Sequence, residues 1–300
     1  MLKIAFSSIY AHSLPENHRF PMLKYELLPQ QLLHEGIVTQ VHFFEPRNVS
    51  VQEIVTVHQL NYWRKLASLT LSPAEIRAIG FPLSTALIDR EIKIAGGTIQ
   101  CAEYALTNGI AMNIAGGTHH AFSDRGEGFC LLNDQAIAAH YLLSKKHVQQ
   151  VLIVDLDVHQ GNGTAKIFSN NPMVYTFSMH GDKNYPIRKE QSDLDVDLSD
   201  GSDDEVYLKL LQMNLFAIFS KIKPDFIFYQ AGVDVLETDH LGRLSLSKEG
   251  CKERDKMVLS AAREHGIPIV VCMGGGYSPN IRDIIDAHTN TFKLAQELFF

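Results

Sequence analysis

Val151-Leu152-Ile153-Val154 is an apolar run that breaks into Asp155, Asp157 and His159 at alternate positions, followed by Gln160-Gly161-Asn162-Gly163. The run reads as a buried strand. Side chains alternate between the two faces of a strand, so this spacing sends Asp155, Asp157 and His159 to the same side. Two carboxylates and an imidazole leaving a buried strand together are costly unless something offsets their charge. A divalent metal supplies that offset, and imidazole with carboxylate suits zinc. A buried salt-bridge cluster or a helix-capping Asp would account for one Asp at a strand end, but it accounts less well for Asp-x-Asp-x-His on one face. The stretch holds too few ligands for a site, so the others must come from elsewhere in the chain.

The 300 residues are 45% hydrophobic and 20% charged, an ordinary globular composition with ample material for a core. An α/β fold runs to this length as one unit, so a single domain over 1–300 is expected. The net charge is -7, from 27 basic and 34 acidic residues. No long basic run appears, which argues against direct nucleic-acid binding. Cys101, Cys130, Cys251 and Cys272 form no CxxC pair and suit free thiols in a reducing compartment. The apolar run at the N-terminus is too short for a signal peptide. None elsewhere approaches the ~20 residues of a membrane span, so a soluble cytoplasmic protein without a membrane partner is expected.

Taken in order, Lys3 to Phe6 reads as a strand, Met22 to Glu35 as a helix stopped by Gly36, and Val38 to Phe44 as a second strand. Val51 to Leu69 looks largely helical, with His58 inside it read as structural. Ser72 to Pro82 is mixed, with a loop at Gly80-Phe81-Pro82 that could form part of a pocket rim. Ala95-Gly96-Gly97-Thr98 opens a helix to Asn108, stopped by Gly109. Ile110 to Ala115 is a strand ending in Gly116-Gly117-Thr118-His119-His120, and Asn133 to Lys146 is a helix. Val174 to Phe177 is a strand ending in Ser178-Met179-His180. Asp182 to Asp203 is polar and mostly surface, with Tyr185 able to reach a pocket. Asp204 to Lys221 is a helix, and the strand Phe226 to Gln230 ends in Ala231-Gly232-Val233-Asp234. A helix over Ser247 to His265 leads to a last strand, Ile267 to Cys272, ending in Met273-Gly274-Gly275-Gly276-Tyr277; the remainder to Phe300 is helical. Strands alternating with helices predict an α/β chain with one parallel sheet between helices. Ligands bind at the carboxyl ends of such strands, and five strand ends here carry polar or glycine-rich motifs.

A catalytic zinc keeps three protein ligands and an open position. Asp157, His159 and Asp234 fill that count, and Asp155 then accepts a hydrogen bond from a nearby His. Zinc acidifies water towards a pKa of ~7 and polarises a carbonyl. His119 and His120 suit acid and base work near neutral pH, although the His pair taken alone reads equally well as an incidental polar loop. Tyr277 follows three glycines whose freedom lets its phenol swing towards a developing oxyanion. Gly128-Phe129-Cys130 could set an aromatic wall beside a ligand. Together these residues describe metal-assisted hydrolysis of a carbonyl compound, with an amide favoured.

Through Gly117-Thr-His-His120, Gly128-Phe-Cys130, Asp155-Leu-Asp-Val-His159, Ala231-Gly-Val-Asp234 and Gly274-Gly-Gly-Tyr277, the chain resembles the zinc-dependent histone deacetylases of the arginase–deacetylase superfamily, from about Lys3 to the C-terminal helix. The resemblance implies a three-layer α/β/α sandwich with a mainly parallel, eight-stranded sheet. It assigns Asp157, His159 and Asp234 to zinc, His120 to general base and acid, His119 to an electrostatic partner held by Asp155, and Tyr277 to the oxyanion. Gly128, Phe129, Tyr185 and Gly275 would line an acyl-lysine channel, with Leu241 near its mouth. Asp155, Asp157 and Ser178, with backbone oxygens of His159 and Met179, match a structural potassium site.

Two departures from that family carry information. Asn162 stands where several class I members have Asp; it can hydrogen-bond His120 but adds no charge, so it supports His120 less as a cation. That pattern, and Tyr185 in place of Phe, look like class IV. Near Gly80 there is no acidic residue equivalent to the rim Asp of many members. Besides acetyl-lysine of a protein, a longer acyl chain or a small acetylated amine such as an acetylpolyamine therefore remains open. A dinuclear-manganese ureohydrolase shares the fold but needs more carboxylates than Val233-Asp234-Val235 supplies. A non-catalytic acyl-binding module would leave His119, His120 and Tyr277 without a task.

Overall fold

The computed structural model describes residues 1–300. Its apolar segments form β1 (Lys3–Ala5), β2 (Phe43–Phe44), β3 (Ile110–Asn113), β4 (Val151–Asp155), β5 (Val174–Gly181), β6 (Leu194–Leu198), β7 (Phe226–Gln230) and β8 (Ile269–Cys272). They join in one eight-stranded sheet in the order β2-β1-β3-β8-β7-β4-β5-β6, and every neighbouring pair is parallel. β3, β4, β7 and β8 are buried throughout, as expected of strands covered on both faces.

The helices are α1 (Lys24–His34), α2 (Val51–Ile54), α3 (Leu60–Ala67), α4 (Pro73–Ile79), α5 (Thr85–Asn108), α6 (Asp134–Ser144), α7 (Asn162–Phe168), α8 (Asp204–Lys221), α9 (Lys248–Glu264) and α10 (Ile281–Phe299). α5 packs on α6 and across β1, β3 and β8, while α1, α10, α9 and α8 pack in a row. The result is an α/β sandwich with a hydrophobic cluster of 83 buried residues. No helix is long and apolar enough to cross a membrane.

The sheet order sets the position of the site. From β3 the chain passes over two strand positions to β4, runs outward to β6, then returns to fill the gap with β7 and β8. The carboxyl ends of β3, β8, β7 and β4 therefore lie side by side where the strand order reverses, which is where open α/β sheets bind ligands.

Five local expectations need correction. Of Val38 to Phe44 only Phe43–Phe44 is strand, and Gln40–His42 before it forms a 3-10 turn. α5 starts at Thr85, with the Ser84 hydroxyl accepting from Leu87 N at 3.2 Å. The Ala95-Gly96-Gly97-Thr98 segment thus lies mid-helix, and Gly96 is there because a Cβ would strike the Arg47 carbonyl. The polar Asp182–Asp203 segment contains β6, an edge strand whose Leu-Asp-Val-Asp-Leu alternation pairs with β5 on one side. Ser72 to Pro82 is half helix: a Ser72–Glu75 capping box and Pro73 in the first turn open α4. Val51 to Leu69 splits into α2 and α3, with His58 between them.

Candidate metal centre and catalytic pocket

Beyond β4, Asp157 and His159 meet Asp234 from the end of β7. His159 Nδ1 lies 3.1 Å from Asp157 Oδ1 and 3.0 Å from Asp234 Oδ2, and the ligating atoms of all three residues fall within 4.8 Å of one another. Backbone amides hold the outer carboxylate oxygens. Gly275 N donates to Asp157 Oδ2 at 2.8 Å, and Val158 N donates to Asp234 Oδ1 at 2.9 Å. Burial, reinforced by the charge of Asp157, pushes Asp234 up to about 7. Burial alone would lower His159, but the Asp157 and Asp234 carboxylates override it and lift the imidazole to about 10. The protein thus recruits a proton to neutralise two carboxylates packed around one imidazole nitrogen. A divalent cation does the same more completely, because it takes one nitrogen and two oxygens at once. The donor set fits such an ion.

His119 and His120 follow a turn after β3. Gly117 has φ +78, a conformation that favours glycine. Asp134 at the start of α6 fixes the turn, its Oδ1 accepting from Gly117 N and Thr118 N at 2.9 Å each. The two imidazole centroids are 4.1 Å apart, yet their surroundings differ. His119 Nδ1 lies 2.7 Å from Asp155 Oδ2. Burial opposes its charge, but Asp155 and Asp157 prevail and raise it to about 9, so it is an imidazolium. His120 Nδ1 lies 2.7 Å from Asn162 Oδ1. An amide oxygen only accepts, so Nδ1 carries the proton and Nε2 is left with a lone pair. Burial, then the charges of His119 and His159, hold His120 well below its usual value.

Tyr277 follows β8, and its backbone N donates to Asp239 Oδ2 at 2.6 Å. Burial, then Asp234 and Asp157, push its phenol far above the usual value, so it is a permanent donor. A cavity of about 390 Å³ is lined by His120, His159, Tyr277, Gly128, Phe129, Tyr185 and Leu241. Tyr185 sets its ring edge-on to His120 at 4.9 Å and donates from Oη to Glu127 Oε2 at 2.9 Å.

The structure therefore brings together His119, His120, Asp155, Asp157, His159, Asn162, Asp234 and Tyr277, and it puts four of the five expected substrate-binding residues, Gly128, Phe129, Tyr185 and Leu241, on the same cavity. Gly275 lies in the brace between the ligand loops, donating to Asp157 and accepting from Val233 N at 3.0 Å. Ser178 stands beside Asp155 in the β4–β5 register, Met179 follows it in β5, and the Ser178 hydroxyl bonds His180 Nδ1 at 2.9 Å. Sequence reasoning missed Asp134, Asp239, Glu127, Arg19 and Arg77. Asp134 reads as an ordinary acidic residue in a helical first turn, and the other four lie in loops or in α4, outside any motif.

A profile of the Histone deacetylase domain matches residues 18–292. An uncharacterised protein of Picosynechococcus is 42% identical over 296 residues, spanning 99% of each chain. Histone deacetylase 2 of Arabidopsis thaliana is 31% identical over 95% of this chain and 76% of its own length. The crystal structure of an HDAC homologue complexed with SAHA superposes with a TM-score of 0.84 at 25% identity, covering 97% of this chain and 82% of that one.

Proposed function

This chain belongs to the histone deacetylase family, and on that premise we propose that it is a zinc-dependent amidohydrolase removing an acyl group, acetyl or longer, from acyl-lysine. One observation carries this reading: a neutral imidazole with a free Nε2, a protonated phenol and His159 of the Asp-His-Asp ligand cluster line one cavity, with Asp157 and Asp234 packed behind His159. Asp157, His159 and Asp234 would hold one cation, zinc by its donor set, which when bound supplies Lewis acidity to water and to the substrate carbonyl.

The protein's own groups perform the remaining tasks. His120 takes a proton from the attacking water at Nε2 and delivers it to the departing amine. Asn162 holds the Nδ1 proton at 2.7 Å and fixes that tautomer. His119, ion-paired to Asp155, sets a positive charge beside the site, keeping His120 neutral at rest and favouring the developing oxyanion. Tyr277 donates from its phenol to the carbonyl oxygen as charge builds there. Phe129 and Tyr185 flank the acyl-lysine stem and keep bulk water from the amide. Family resemblance adds a potassium ion among Asp155, Asp157, Ser178 and the carbonyl oxygens of His159 and Met179. The side-by-side register of Asp155 and Ser178 supports that reading.

The test is hydrolysis of lysine peptides carrying acetyl, octanoyl and myristoyl groups, with and without a chelator. Chelator-sensitive cleavage is expected, and Tyr277→Phe and His120→Ala should each lower turnover by ~10² or more. Near-normal rates in both variants, or cleavage indifferent to metal removal, would sink the mechanism.

A further inference from the structure

Arg19, Arg77 and Glu127 also line the cavity that contains His120 and Tyr277. Glu127 is fully engaged: Oε1 accepts from Arg125 Nε at 2.7 Å and Oε2 from Tyr185 Oη at 2.9 Å. The half-buried Asp239, two residues before Leu241, is engaged as well. Its Oδ1 accepts from Leu241 N at 2.8 Å and Gly242 N at 2.9 Å, and its Oδ2 from Tyr277 N at 2.6 Å. Arg125 pairs with Asp124 and Glu127, whereas Arg19 and Arg77 are exposed and enter no ion pair. On a chain of net charge -7, the cavity therefore carries two guanidiniums that enter no ion pair.

The two arginines reach the wall that carries Phe129 by different routes, Arg19 through its guanidinium and Arg77 through the backbone of its helix. Arg19 Cζ lies 5.0 Å from the Phe129 centroid. The preceding residue, His18, bonds Gly80 O at 2.9 Å and stacks on Phe81. Arg77 belongs to α4, and the end of that helix is bolted to the channel wall. Gly128 N donates to Ala78 O at 3.0 Å and Phe129 N to Ile79 O at 2.7 Å. Two segments distant in sequence thus deliver cations to the same wall, on anchored backbone.

We infer that the natural substrate carries a carboxylate close to its acylated amine, and that Arg19 and Arg77 select it. The inference rests on the deacylase reading of the same site and narrows its substrate class. Planar guanidiniums pair with carboxylates, and their charges repel an acetylpolyamine or an acyl-lysine set in a basic tail. The carboxylate belongs either to an Asp or Glu flanking the acyl-lysine or to an acylated amino acid with a free α-carboxylate.

The experiment compares one acetyl-lysine peptide with Asp, neutral or Lys flanks, together with Nε-acetyl-lysine as free acid and as amide, and N-acetylputrescine. Both kcat/KM and, by anisotropy of labelled peptides, Kd are read at low and high salt. Acidic flanks should exceed basic ones by about tenfold, with the difference in KM and shrinking as salt screens it. In Arg19→Gln/Arg77→Gln the ratio should fall towards one, and in Arg19→Glu/Arg77→Glu it should invert. A free-acid preference over the amide would place the carboxylate on the amino acid itself; a preference confined to peptides would place it on a flanking residue. Equal rates, a basic preference, or a bias that survives the double variant overturns the inference. An acidic bias in binding without turnover sustains it while the hydrolase reading falls. Absence of any binding overturns it.

Discussion

His58 is enclosed between α2 and α3 and joins two parts of the backbone around the site. Asn133 N donates to its Nε2 at 2.9 Å, so Nδ1 carries the proton and donates to Phe122 O at 2.9 Å. A second proton would sit on Nε2 facing an N–H group in a dry environment, and burial lowers the imidazole to about 4. The sign of the linkage follows. The folded chain keeps His58 neutral while the unfolded chain protonates it below its ordinary value near 6.5. Its contribution to stability is therefore intact above that value and lost as pH falls from there to about 4, up to about 3 kcal/mol. Gln at this position can donate to Phe122 O and accept from Asn133 N without titrating. Urea unfolding of wild type and His58→Gln across this window should show the steeper decline in wild type. Parallel pH profiles would refute the assignment. The sequence pointed to a structural role for His58 because no ligand partner was near it, but its actual partners lie far along the chain and are visible only in the fold.

At the level of elements, what was legible followed from how local each signal was. The β4 motif, the His pair after β3 and the glycines before Tyr277 each carry their chemistry within a few residues, so their placement at strand ends could be read from the chain. The start of α5 could not, because Gly96 sits mid-helix for the sake of a contact with Arg47, a partner 49 positions away. β6 was hidden because an edge strand alternates acidic with apolar residues and resembles a polar loop in composition. Asp134 was hidden because its acceptors face β3 rather than its own helix. Besides the Gly117 and Thr118 amides, it accepts from Thr98 Oγ1 at 2.6 Å and Thr118 Oγ1 at 2.7 Å. Asp134→Ala would strand two buried N–H groups and free the turn that aims both imidazoles. It should cost about 2–4 kcal/mol of stability and lower turnover about tenfold or more, with metal content unchanged because no ligand lies in that turn. Urea unfolding, metal analysis and kcat on one preparation check all three. A variant as stable and active as wild type would remove Asp134 from this role.

Across the whole molecule, the same convergence of strand ends that builds the centre concentrates like charge there, with Asp157 and Asp234 both buried. The ligand loops are also tied by protein groups alone. Arg254 of α9 reaches under them, its Nη1 donating to Leu156 O at 3.1 Å and Gly232 O at 2.5 Å. Asp255 balances the guanidinium, accepting from its Nε at 2.9 Å and Nη2 at 2.7 Å. This tie spans the ends of β4 and β7 from a helix whose sequence gives no hint of it. With that tie in place, a bound cation is expected to add its binding free energy to an already folded chain instead of creating the fold. Stripping the metal should lower Tm by on the order of 10 °C if the ion is bound a thousandfold above its Kd. Far-UV circular dichroism at 25 °C should stay unchanged, and stoichiometric zinc should restore Tm. An unchanged Tm in protein verified to be metal-free would mean that Asp157, His159 and Asp234 bind no ion of consequence. Collapse of the far-UV signal would mean that the Arg254 tie does not suffice and that the cation is part of the core.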